Sequence, residues 1–152
     1  MHARHSALML MLVLGGCASA PVQPPEPAEG EHALVLNIRG LDCCEGALRV
    51  ALYNGVDHWL DDHGMVRGQV APVLGTEQVV EFAGLPPGDY AVALYQDINA
   101  DGRMDRFLGT VPREPYGFSG NYGGFGRPSF EAARITLPDE LEITIEMRAP
   151  PF

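Results

Sequence analysis

Leu85-Pro86-Pro87-Gly88-Asp89-Tyr90-Ala91-Val92-Ala93-Leu94-Tyr95-Gln96 is the stretch that decides the fold class. Two prolines, a glycine and an aspartate turn the chain, because proline presets φ and glycine accepts conformations that other residues avoid. Beyond the turn, Tyr90, Val92 and Leu94 alternate with Ala91, Ala93 and Tyr95. A period of two containing β-branched and aromatic residues predicts a strand over Tyr90–Gln96.

The same alternation recurs on both sides. Leu34, Leu36 and Ile38 alternate with Val35, Asn37 and Arg39, and Leu48, Val50 and Leu52 alternate with Tyr53 on the other face. These two strands are expected to pair as a hairpin across Gly40–Gly46. A weaker strand falls at 65–70 and another at 79–82. Two more follow at 133–137 and 141–147, the last with Leu141, Ile143, Ile145 and Met147 on one face. No segment carries a helical period. Six or seven short strands separated by turns predict an all-β fold, an antiparallel β-sandwich with one long Gly- and aromatic-rich loop at 107–129, and a small barrel is the alternative.

The central strand runs directly into Asp97-Ile98-Asn99-Ala100-Asp101-Gly102-Arg103-Met104-Asp105. Asp97, Asn99, Asp101 and Asp105, with the carbonyl of Arg103, have the donor spacing of a Ca2+ loop. Position 12 is Leu108 where an EF-hand has a bidentate glutamate, and the flanks read as strands, so the expectation is a calcium loop between strands. An Asx-type turn whose carboxylates bond their own backbone is the competing reading.

Downstream, Tyr116, Phe118, Tyr122, Phe125 and Phe130 are spaced by glycines. Such a loop offers flat contact area to a sugar or apolar ligand, with Tyr116, Phe118, Tyr122 and Phe125 as candidate contacts, or it plugs the end of the sandwich. Enzyme signatures are missing. No phosphate-cradling Gly motif is present, and Gly117-Phe118-Ser119-Gly120 puts its second glycine one place early for a nucleophile elbow. His58 and His63, with Asp57, Asp61 and Asp62, carry zinc-type donors, but their five-residue gap does not stack two ligands on a helix face. That segment reads as a solvated acidic loop with Trp59 tucked into the core.

At the N-terminus, Arg4 precedes a short apolar run, Ala7–Leu14, too short to span a bilayer. Leu14-Gly15-Gly16-Cys17 resembles a bacterial lipobox, which implies a signal peptide over 1–16 and lipidation of Cys17. By the same resemblance, Ala18 after the cysteine favours the outer membrane. Residues 17–32, with Pro21, Pro24, Pro25 and Pro27, form a tether of at most about 45 Å at roughly 3.1 Å per residue. One domain occupies 33–148, and 149–152 is a tail.

Removing 1–16 takes Arg4 with it, leaving nine arginines against twenty Asp and Glu, a formal −11. Lysine is absent. Such a surface excludes nucleic acid as a partner. With Cys17 assigned to lipid, Cys43 and Cys44 remain. Free thiols, an intermolecular bond and a strained ring between neighbours are all open to them, and two small residues at a turn is the simplest reading.

The run Leu85–Val92, the Asp97–Gly102 turn, Phe107-Leu108-Gly109, Pro112–Ser119 and Phe125–Ala133 together resemble a bacterial family of exported proteins, domain of unknown function 2141. The resemblance covers about Leu34–Met147. It implies no activity. The Pro-Pro-Gly-x-Tyr strand also resembles turns of transthyretin-like and immunoglobulin-like sandwiches, which bears on fold alone. The expectation is therefore a non-enzymatic envelope lipoprotein, a binding or structural module with a calcium loop, partnered by an envelope protein or small ligand. The alternative is a small-ligand carrier or sensor using loop 116–130.

Overall fold

The computed structural model describes residues 30–151 apart from 62, 121, 123 and 125. The expected signal peptide, Cys17 and most of the expected tether lie outside the described residues. Among the described residues there are ten strands. β1 (His32–Arg39), β4 (Glu77–Leu85) and β10 (Glu142–Glu146) form one sheet in the order β10-β1-β4. β3 (Arg67–Pro72), β2 (Ala47–Tyr53), β5 (Gly88–Asp97) and β8 (Tyr116–Phe118) form the second in that order, with β9 (Arg134–Leu137) also on β5. The hairpin β6 (Arg106–Phe107) and β7 (Val111–Pro112) stands apart, and one helical turn, α1 (Phe130–Ala133), is capped by Ser129, whose side chain accepts from Ala132 N.

The two sheets face each other across one core. Leu34, Leu36 and Ile38 of β1, Phe82 of β4 and Ile145 of β10 meet Leu48 and Leu52 of β2, Val92 of β5 and Ile135 of β9, all nearly or fully buried. Alternation thus predicts the inward residues correctly, because successive side chains of a strand point to opposite faces. The long loop is less irregular than expected, since it contains β6, β7 and β8.

Two expectations on pairing are corrected. β1 and β2 do not form a hairpin; β1 pairs with β4 and β10, while β2 pairs with β3 and β5. The connection carries Leu41 into the core and so swings the chain to the opposite sheet. Fully buried Gln96 holds it there: its amide donates to Asp42 O at 2.7 Å and Glu45 O at 2.8 Å, and its oxygen accepts from Asp42 N at 2.9 Å. The sandwich is also not antiparallel throughout, because β10 runs parallel to β1. β10 follows a strand of the other sheet, so no tight hairpin dictates its direction.

Candidate functional site

β5 ends in the acidic turn, and Asp97 is fully buried there. Arg49 Nε, from the neighbouring β2, donates to Asp97 Oδ2 at 2.6 Å. The same oxygen accepts from Gly102 N at 2.9 Å, and Oδ1 accepts from Asp101 N at 3.1 Å. Asp101 Oδ1 accepts from Arg103 N at 2.8 Å, and Asn99 Nδ2 donates to Asp105 Oδ2 at 3.2 Å. A second buried carboxylate closes the turn from outside. Glu114 Oε1 accepts from Ile98 N at 2.9 Å, and its Oε2 accepts from Asp105 N at 3.0 Å.

The two carboxyl groups shift in opposite directions although burial acts on both in the same sense. At Asp97, burial pushes the pKa up, but Arg49 and the amides of Gly102 and Asp101 outweigh it, so the net shift is downward. Burial of Glu114 raises its pKa despite the two amides, helped by the negative charges of Asp97 and Asp105. Desolvation also drives the Tyr95 phenol up to about 12, leaving it a neutral O–H group.

The expected calcium donors sit together in one turn, where Asp97, Asn99 Oδ1 and Asp101 Oδ1 accept from the turn's own backbone amides and Asp105 Oδ2 accepts from the Asn99 side chain. Both oxygens of Asp97 are engaged, and among the described residues no three His, Cys, Asp or Glu side chains converge as a metal cage. An ion taking Asp97 as a ligand would have to displace Arg49, and one taking Asp105 Oδ2 would have to turn the Asn99 amide away.

A cleft of about 720 Å3 opens beside the turn, on the face of the second sheet that looks away from the core. Its floor is the alternate register of the central strands: Arg49 and Ala51 of β2, Ala93 and Tyr95 of β5, Tyr116 and Phe118 of β8. One wall is the second half of the acidic turn with the β6–β7 hairpin, through Gly102, Arg103, Met104 and Arg106. Gly102 has φ 86, a left-handed conformation that favours glycine, and a β-carbon there would press on Arg49 Nη2 at 3.3 Å where the turn closes over the guanidinium. The far side is braced by Trp59, whose ring centroid lies 5.2 Å from Tyr53, 6.0 Å from Phe130 and 6.1 Å from Phe118. Its indole N–H donates to Pro128 O at 2.8 Å.

Of the four candidate aromatic contacts, Tyr116 and Phe118 line the cleft. Tyr122 does not; Arg148 stacks 5.4 Å from its ring centroid and holds the loop through Gly124 O at 2.6 Å. Phe125 lies outside the described residues. Phe130 is buried against Tyr53 and Ala133, a core plug. Ser119 is buried too, accepting from Val92 N at 2.8 Å and donating to Ala133 O. His58 and His63 are exposed, and Asp62 is not among the described residues. Cys43 and Cys44 are joined in a disulfide at the exposed turn before β2.

Sequence reasoning missed Arg49, Tyr95, Arg106, Arg127 and Glu114. An arginine or tyrosine on the outward register of a strand reads as ordinary surface, and only the paired strands show that it floors a cleft.

Two sheets packed face to face, with a cleft on the outer face of one, define an all-β sandwich domain. The chain belongs to the family described as uncharacterized protein conserved in bacteria (DUF2141), whose model matches residues 36–145, from within β1 to within β10. That span includes every residue of the cleft and the acidic turn. No curated protein and no solved structure matches the chain.

Proposed function

We propose that this protein is a non-catalytic ligand-binding module of the bacterial cell envelope, tethered through a lipidated Cys17 and taking a small molecule in the outer-face cleft. The cleft carries the reading. Its volume of about 720 Å3 suits a small organic ligand. A rigid sheet supplies the floor, and loops supply the walls, an arrangement that leaves little to reorganise on binding. The described lining holds no Ser, Cys, His, Asp or Glu, which favours binding over catalysis. The acidic turn serves as the wall's fastening, through Asp97 and Glu114.

The test is an amide NMR titration of the purified protein with naphthalene-2-methanol and naphthalene-2-carboxylate, flat probes that fit the floor. Saturable shifts confined to β2, β5, β8 and the β6–β7 hairpin, abolished by Ala93→Trp or by the more exposed Thr110→Trp, are expected. Absent or scattered shifts would overturn the reading. Labelled palmitate incorporation, lost in Cys17→Ser, tests the anchor separately.

A further inference from the structure

The chain carries ten arginines and twenty Asp and Glu, a formal −10. In the lining of the cleft that balance inverts: Arg49, Arg103, Arg106 and Arg127 line it and no carboxylate of the described residues does. The nearest acids, Asp97, Asp101 and Glu114, act on its floor at Tyr95 from behind the lining. Arg49 is committed to Asp97, but Arg103, Arg106 and Arg127 form no ion pair with any described residue. They come from the acidic turn, from β6 and from the segment before α1, so no single local motif gathers them. The rest of the lining is flat or apolar: Tyr116 and Phe118 lie edge to face with centroids 5.8 Å apart, beside Met104 and Ala93.

We infer that the cleft selects a small anion carried on a flat apolar body, a carboxylate or phosphate ester of an aromatic or similarly planar frame. This rests on the binding reading above and names its ligand class. Guanidinium groups present planar donor forks that match carboxylate and phosphate oxygens and stack on flat rings. Three such groups without protein partners at the rim of a cleft attract an anion, while the surrounding negative surface repels anions from other faces. The aromatic floor then provides contact for the uncharged part, and the neutral Tyr95 hydroxyl adds a polar group at its base.

The experiment compares three probes on the purified protein by calorimetry and amide NMR: naphthalene-2-carboxylate, 2-naphthyl phosphate and the uncharged naphthalene-2-methanol. At least one anion is expected to bind about tenfold or more tightly than the alcohol, with an advantage that shrinks as salt is raised. The ranking of carboxylate against phosphate identifies the headgroup. In the double variant Arg103→Gln/Arg127→Gln, whose altered side chains are exposed and unpaired, the anion falls to the affinity of the alcohol and the alcohol is unchanged. Equal binding of alcohol and anions would overturn this inference and leave the binding reading standing. No saturable binding by any probe would overturn both.

Discussion

Arg49 on β2 reaches the fully buried carboxylate of Asp97 at the end of β5, Nε to Oδ2 at 2.6 Å, and so fastens the floor of the cleft to its wall. The pair joins strands whose backbones are already hydrogen-bonded, with Arg49 opposite Tyr95 in the register. What it adds is the position of the turn.

Asp97→Asn is expected to destabilise the domain by about 2–4 kcal/mol, because Arg49 loses its partner and one amide donor loses an acceptor. Urea unfolding checks this. Amide NMR of the variant should show the largest changes from Ile98 to Asp105, with the core strands little altered.

Stability should depend on pH through Asp97 and Glu114 in opposite senses. The folded pKa of Asp97 lies below its ordinary 3.8, so its contribution is complete above that value and is lost as the pH falls through the lower folded pKa. Glu114 has a folded pKa above its ordinary 4.5, so its contribution is complete below 4.5 and fades as the pH rises through the folded value. Urea midpoints between pH 2.5 and 7 should show an acid limb that flattens in Asp97→Asn. They should also show a shallow decline above pH 4.5 that disappears in Glu114→Ala.

Gly46→Ala should be among the most damaging small substitutions. Gly46 has φ 67, and a β-carbon there would lie 2.0 Å from Asp97 O, a clash with backbone that cannot move without breaking the turn. A loss above about 3 kcal/mol is expected. Gly109, at φ 71 with nothing within 4 Å, is the control. Gly109→Ala should cost only the left-handed strain, about 1–2 kcal/mol. Equal costs for the two would show that contact with Asp97 is not what holds the turn.

Calcium at millimolar concentration is expected to leave the melting temperature unchanged, since Asp97 is already neutralised by Arg49 and Asp101 Oδ1 is taken by the Arg103 amide. A saturable rise of more than about 4 °C, removed by Asp101→Ala, would instead make the turn an ion site.

Ser119→Ala is expected to cost about 1–3 kcal/mol, because the buried N–H of Val92 loses its acceptor. Thermal melting checks it, and Ser119→Cys, which keeps a weak acceptor, should lose less.

Strand positions were legible in the residues because burial on alternate positions is a local property of an extended chain. Leu34, Leu36, Ile38, Val92 and Leu94 all turn inward as their spacing predicts. The acidic turn and the Pro-Pro-Gly turn were legible for a similar reason, since Asp, Asn, Gly and Pro impose conformation on their immediate neighbours. Strand partners were not. Local alternation carries no information on which sheet a strand joins, and the placement of β1 opposite β2 depends on Leu41 entering a core built by other strands. The cleft belongs to the same category. Arg49, Arg106 and Arg127 are separated along the chain and read individually as solvated charges, and Glu114 reads as one more surface acid. Alternation and turn chemistry alone determined an all-β domain with an acidic turn after its central strand. The tertiary structure decided which carboxylates that turn uses internally and which arginines it leaves facing a cavity, because both depend on contacts between residues distant in the chain.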